Sequence, residues 1–273
     1  MCIRDRRKIK LEGKIEAKFI YASLLGGDLL PFGYTVLRPI VLPLEQRHNK
    51  YELLDVPQLR ARGYPGIANW LEKAQRVWEE LGTEKAKENF PRLLNAVNYH
   101  ALLTSQSPTT RFIVLYNSSG TNIVSCVIDK HSLETFTLLE TVIKPMSFIA
   151  DKDTRFYETN NELEAHYLCA ILNSNIVNNV IKPLQTRGLF GERHIHRRPF
   201  MLPIPKFDPN NPVHLRLAEL SKLCHEKVAK AKSRFTGKSV TSLRRQAREV
   251  VKEELKEIDK LVSQLLGVGG EVR

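Results

Sequence analysis

The chain has 273 residues, with 42 Lys and Arg against 30 Asp and Glu, a formal charge of +12 and an isoelectric point near 9.6. A hydrophobic share of 42% beside 26% charged residues excludes wholesale disorder, and there is no apolar run of the roughly 18 residues needed to span a bilayer. The positive excess points to a polyanionic partner, nucleic acid before an anionic membrane, and the plainer reading is a basic protein without one.

Met1–Arg6 (MCIRDR) matches the translated end of a transposon used to prepare sequencing libraries. These residues are therefore set apart from the fold, and the natural chain is expected to begin upstream, leaving this one a C-terminal piece. Residues 7–56 are strand-like and turn-rich. Lys14–Ala22 reads as one short element and Gly26-Gly27-Asp28 as a turn. Tyr34–Leu44 is apolar and β-branched, but Pro39 and Pro43 restrict it to an edge or irregular strand. Pro57–Pro65 reads as a connector. The spacing of Ile67, Trp70, Leu71, Ala74, Val77, Trp78 and Leu81 predicts a helix over 67–81, closed by Gly82. On such a stripe the tryptophans read as core rather than as platforms for bases. A second helix is expected within 84–103, interrupted or started by Pro91.

Residues 111–158 form the β-rich centre. Arg111–Tyr116 and Asn122–Asp129 read as two strands joined by the Asn117-Ser118-Ser119-Gly120 turn. Phe148–Ala150 and Thr154–Glu158 read as a second hairpin around Asp151-Lys152-Asp153. That acidic pair suits turn formation, through side-chain bonds to nearby N–H groups, better than a metal site with no third carboxylate near it. A helix over 161–177 opens on Asn161 and Glu164 in capping-box spacing, and Asn173-Ser174-Asn175 weakens its end. Pro212 leads into a helix over 213–235. The stripe Leu243, Ala247, Val250, Val251, Leu255, Ile258, Leu261, Val262 and Leu265 predicts one long helix over 242–266, roughly 37 Å at 1.5 Å per residue. The two would form a closing helical hairpin.

Cys2, Cys126, Cys169 and Cys224 are widely spaced, which argues against a zinc knuckle or a disulfide framework and for a reducing, cytoplasmic setting. Between Cys169 and the closing helices lies the most unusual stretch, 182–207. Residues 182–198 carry Lys182, Arg187, Arg193, Arg197 and Arg198 against Glu192, and residues 214–266 carry thirteen cations against seven anions. Ten of the twelve excess charges therefore lie C-terminally. Within the helices, 249–260 is nearly balanced and reads as a solvated face laced by i,i+4 pairs. The loop reads differently. Glycine lets a backbone approach phosphate closely, and Arg offers a fork to phosphate or guanine. Lys182, Arg187, Arg193, His194, His196, Arg197 and Arg198 are the candidate DNA-binding residues; the plainer reading is a structural turn. His194 and His196 alternate as metal ligands can, but no further ligands lie near and two arginines flank them, so no metal is expected. No Gly-rich phosphate loop and no Gly-x-Ser-x-Gly elbow occurs, and Cys224-His225 are adjacent on a helix and point apart. No catalytic or cofactor-binding residue is assigned.

The succession FIADKDTRFYETNN, EAHYLCAILNS, the Gly-Leu-Phe-Gly-Glu-Arg loop and LPIPKFDPNNPVH, with the upstream VLYNSSGTNIVSCVID hairpin, resembles the C-terminal part of large adenine-specific DNA methyltransferases. It is similar to the target-recognition region of type IIG-like restriction–modification enzymes, which have a TaqI-like specificity domain. The likeness covers residues 14–235. It implies an α+β fold, with a small β-sheet or hairpin recognition domain and flanking helices over 7–212, and the helical hairpin over 213–273. It implies double-stranded DNA as partner and no membrane. In the parent enzymes a methyl group passes from S-adenosylmethionine to the exocyclic amine of adenine. Those enzymes use a Gly-containing cofactor loop and an Asn/Asp-Pro-Pro-aromatic motif. Neither occurs here, Asp208-Pro209-Asn210-Asn211-Pro212 being a different pattern. The resemblance thus implies a missing N-terminal methyltransferase domain, no cofactor in this piece, and no activity alone. The alternative is a protein-interaction subunit whose C-terminal helices dock a partner.

Overall fold

The computed structural model describes residues 11–185, 187–188, 191–192, 195, 198–237 and 239–267, with 187–188 and 191–192 as backbone. The fold is α+β, as expected. In chain order the strands are β1 (Ile20–Ser23), β2 (Leu29–Leu30), β3 (Gly33–Tyr34), β4 (Arg38–Val41), β5 (Leu44–Arg47), β6 (Lys50–Leu53), β7 (Phe112–Asn117), β8 (Ser125–Asp129), β9 (Phe136–Leu138), β10 (Thr141–Ile143), β11 (Thr154–Thr159), β12 (Arg187–Gly188) and β13 (Gly191–Glu192). The helices are α1 (Val56–Ala61), α2 (Pro65–Leu81), α3 (Glu84–Asn89), α4 (Leu93–Val97), α5 (Glu162–Asn173), α6 (Asn175–Ile181), α7 (Pro212–Ala231), α8 (Val240–Val250) and α9 (Lys252–Leu265). Among the described residues no helix is long and apolar enough to cross a membrane.

Two compact units share the chain. The first holds residues up to Ser23, Arg38–Thr109 and His131–Asp151; the second holds Leu24–Leu37, Thr110–Lys130 and the chain from Lys152 onward. This division cuts across the linear one at 212/213. The physical reason is that α7 lies along α5, whose helix packs on the sheet, so the closing helices and the strands share one core.

In the first unit β1 pairs antiparallel with β4, Ala22 opposite Pro39, and β5 pairs with β6. β4 has β1 as its one strand partner among the described residues, the edge position a proline requires. The 34–44 segment is thus broken into pieces rather than one strand, and 14–22 divides into a 3-10 turn at Ala17–Phe19 followed by β1. Residues 57–65, expected as a connector, contain α1. Asp55 caps it, accepting from Gln58 N at 3.0 Å while Asp55 N donates to Gln58 Oε1 at 2.9 Å, and Pro57 is tolerated in the first turn. The helix predicted over 67–81 is α2, ending at Gly82. Ile67, Ala68, Leu71 and Ala74 are buried, and Trp70 and Trp78 pack against them; Trp78 Nε1 donates to Phe90 O at 3.0 Å. The region 84–103 splits into α3 and α4 on either side of Pro91.

In the second unit β7 is the central strand of the order β11-β7-β8, antiparallel on both sides and buried along its length. The β7–β8 hairpin is the one expected. The 148–158 hairpin is corrected: β11 pairs with β7, Thr154 opposite Asn117, while Phe148 bridges Ala22 in the first unit. Six residues paired with the fully buried strand β7 bury more surface there than folding back on three residues would. Asn161 caps α5 by accepting from Leu163 N and Glu164 N, but Glu164 bonds the hydroxyls of Thr159 and Tyr157 instead of closing the capping box. The helix expected over 242–266 is two helices. Val251 leaves helical geometry (φ −116°, ψ 25°) at a pair of β-branched residues with poor helix propensity. Ala247, Val251, Leu255, Ile258 and Val262 are buried in the unit's core, so the closing stripe is covered within the unit.

Candidate nucleic-acid interface

The β7–β8 turn is a rigid ledge built by Asn117. Its side chain donates to Ser119 O (2.9 Å) and Asn122 O (3.0 Å) and accepts from Val124 N at 2.9 Å. Gly120 sits at φ 136°, and a Cβ there would lie 3.0 Å from Asn117 Nδ2, so the turn needs glycine. The far side of the turn is held from α5 and α6. Asn173 Oδ1 accepts from Ser125 N at 3.1 Å and its Nδ2 donates to Ser125 O at 2.9 Å, while Asn178 Oδ1 accepts from Ile123 N at 2.6 Å. Asp259 of α9 caps α6 by accepting from Ser174 Oγ (2.7 Å) and Asn175 N (2.8 Å). The polar Asn-Ser-Asn run that weakens the helix in sequence terms is therefore the clasp between helices and sheet.

The basic loop is pinned on this ledge at two points. Gln185, buried, donates through Nε2 to Gly120 O at 3.3 Å. Ile195, fully buried in the core, donates its N–H to Ser118 O at 3.1 Å. Between the pins, β12 and β13 form a two-stranded ladder with Arg187 opposite Glu192 and Gly188 opposite Gly191.

Of the seven candidate residues, Lys182 opens a 3-10 turn at Lys182–Leu184 and is half-buried. Arg187 has its backbone in β12. Arg198 opens the 3-10 turn Arg198–Met201, half-buried, with its N–H on Ile195 O at 3.0 Å. Arg193, His194, His196 and Arg197 lie outside the described residues. Sequence reasoning passed over Phe200 and Met201, 44% and 69% exposed, where the loop leaves the ledge; Phe200 meets Tyr116 edge-to-face at 5.8 Å. Exposed apolar side chains beside arginines suit base stacking. The signal available in sequence was the Pro-Phe-Met step after Arg197-Arg198.

The helical cations divide sharply. Arg216 pairs with Glu257 at 2.8 Å, Lys222 with Glu162 at 2.9 Å, Lys227 with Glu254 at 2.5 Å, and Lys252 and Lys256 with glutamates three residues earlier. Within 249–260 these pairs are i,i+3 or run across to α7, in place of the i,i+4 pairs expected there. Arg244 and Arg248 instead turn inward. Arg244 donates to Leu29 O at 3.0 Å and Gly26 O at 2.6 Å, and burial lowers its pKa to about 10. Arg248 donates to Asn173 O, Asn175 Oδ1 and Ile123 O, and burial likewise lowers its pKa.

One cluster in this unit has the residue types of a nucleophilic site. His166 Nδ1 lies 3.1 Å from Ser221 Oγ, and the His166 and His225 rings are 4.9 Å apart and perpendicular. Cys169 is fully buried, and burial pushes its thiol up to about 12. Burial pushes the His225 imidazole down to about 4 and His166 down as well. A neutral thiol and neutral imidazoles packed in a core stabilise the helix pair α5–α7 rather than present a nucleophile. Among the described residues no group of three or more His, Cys, Asp or Glu is placed to hold a metal ion.

A scan against protein-family models matches none, and a search of curated proteins finds no match to the chain.

Proposed function

We propose that this chain is the DNA-binding target-recognition portion of an S-adenosylmethionine-dependent adenine-N6 DNA methyltransferase of a restriction–modification or related defence system. The observation that carries the reading is the Gly/Arg/His loop 182–198, net +4, pinned at Gln185 and Ile195 on a braced β-turn. A basic loop on two fixed points loses less conformational freedom on meeting a duplex than a free one. The order of sequence elements over 148–212 supports the family part of the reading. In this reading the cofactor and the chemistry belong to an upstream half, and extruding the adenine is the work of both halves together.

Duplex binding measured by fluorescence anisotropy across a salt series tests it. Log affinity falls linearly with log salt, with a slope of about −0.9 per phosphate neutralised. Arg187→Gln/Arg198→Gln weakens binding and flattens the slope. A salt-independent response, or unchanged binding by the variant, overturns the reading. The alternative role in docking a protein partner through the closing helices draws no support from their apolar stripe, whose central residues are buried within the unit.

A further inference from the structure

We propose that the turn between α7 and α8 is a second phosphate-backbone contact, separate from the 182–198 loop. The proposal rests on the DNA-binding reading above and names a further surface for it. From Lys227 to Arg248 the chain carries eight Lys and Arg and no Asp or Glu, between Glu226 and Glu249. The structure accounts for half of them within the unit: Lys227 with Glu254, Lys232 with its Nζ 5.1 Å over the Tyr34 ring, and Arg244 and Arg248 on backbone carbonyls. Lys238 lies outside the described residues. Lys230, Arg234 and Arg245 are exposed, with no carboxylate partner among the described residues.

Two features separate this turn from an ordinary solvated face. The first is uncompensated charge. Lys230 in the last turn of α7, Arg234 and Arg245 are exposed without a carboxylate partner among the described residues, and the first turn of α8 carries no acidic residue that could neutralise them. The half-buried, carbonyl-bound Arg244 supplies a further fixed charge, with no carboxylate on it among the described residues. The second is rigidity. Gln246 Oε1 accepts from Thr236 N at 2.9 Å and its Nε2 donates to Thr236 O at 2.7 Å, while Phe235 packs on the core. Phe235 and Thr236 are therefore fixed in place before any ligand arrives. A lipid surface is a poorer fit, because membrane-surface segments need an apolar face toward the acyl chains and Phe235 is turned inward.

The test compares three proteins by duplex anisotropy across a salt series: the full chain, Lys182→Gln/Arg187→Gln/Arg198→Gln in the loop, and Lys230→Gln/Arg234→Gln/Arg245→Gln in the turn. Circular dichroism melts confirm that the variants fold. The turn variant is expected to lose tenfold or more in affinity and to flatten the log–log slope by up to about 2.7, at about 0.9 per phosphate. Swapping Lys for Arg and Arg for Lys at the same three positions restores binding, since a phosphate contact reads charge. A loop variant that weakens beside a turn variant that matches the full chain overturns this inference and leaves the loop reading standing. A full chain without salt-dependent binding overturns both. Capture by vesicles containing phosphatidylserine, with no binding to duplex, also overturns it.

Discussion

The imidazole of His225 is wired so that it cannot take a proton without breaking the fold around it. Its Nδ1 lies 2.7 Å from Ser221 O and must donate to that carbonyl, and its Nε2 accepts from Val127 N at 3.0 Å. Protonating Nε2 would set an N–H against the N–H of the sheet strand β8. Burial accordingly holds the pKa at about 4, against an ordinary value of 6.5. Between those two values the unfolded chain binds a proton that the folded chain refuses. The stabilisation is therefore fully present above pH 6.5 and is lost as the pH falls toward 4. Its size is about 3 kcal/mol in total, of which about 2 kcal/mol disappears between pH 7 and pH 5. His225→Gln keeps a donor and an acceptor on one side chain and removes the titration. Urea unfolding at pH 7 and pH 5, followed by far-ultraviolet circular dichroism, then reports mainly α5–α9. The variant should lose about 2 kcal/mol less than the parent over that interval. Both tryptophans lie in the first unit, so their fluorescence supplies a reference that His225→Gln leaves in place. Parallel losses in parent and variant would refute the reasoning.

Three other changes follow from the same geometry. Lys130 and Glu158 form an ion pair whose side chains are 2% and 11% exposed, and burial lowers the Lys130 pKa. Lys130→Met alone should cost about 3–5 kcal/mol by removing the ion-pair partner of a buried carboxylate, and adding Glu158→Met should recover most of it in denaturant titrations. Asn173→Ala removes both partners of the Ser125 backbone and should cost about 2–4 kcal/mol, with faster amide exchange at Ser125. The β9–β10 hairpin turns through Leu139 and Glu140, both at positive φ (46° and 68°), with Leu139 99% exposed. Two-residue hairpin turns with both φ positive favour Asn-Gly, so Leu139→Asn/Glu140→Gly should stabilise the first unit by about 1 kcal/mol. A drop in its melting temperature would contradict that assignment.

Periodicity exposed what periodicity controls. The α2 stripe, the β7–β8 hairpin and the α7 start at Asn211-Pro212 could each be read because local pattern and burial agree there. The reading failed where a distant partner decides. Nothing near Thr154 announces that β7 will claim it; the break at Val251 does have a local mark, the β-branched pair Val250-Val251, which the uninterrupted apolar stripe outweighs. Arg244 and Arg248 counted as surface charge in the sequence, since a guanidinium that bonds carbonyls 215 and 218 residues earlier (Arg244), or 75 and 125 residues earlier (Arg248), leaves no local mark. For the candidate site, composition located the basic loop but not its two pins, because Gln185 and Ile195 look ordinary until the β7–β8 turn is folded.

The alternation of the chain between its two units, with passages after Ser23, Leu37, Thr109, Lys130 and Asp151, sets an order of events during synthesis. All segments of the first unit have left the ribosome once Asp151 emerges, so that unit can close early. The second unit's segments at Leu24–Leu37 and Thr110–Lys130 must wait, their apolar strands uncovered, until α5, α7 and finally α9 arrive. At the ordinary rate of about 5–20 residues per second, that delay lasts roughly 5–25 seconds after Asp151. Gene fusions, tags or stalling sequences near the C-terminus would therefore act on the second unit alone, and a single crossover within the gene could not exchange either unit intact.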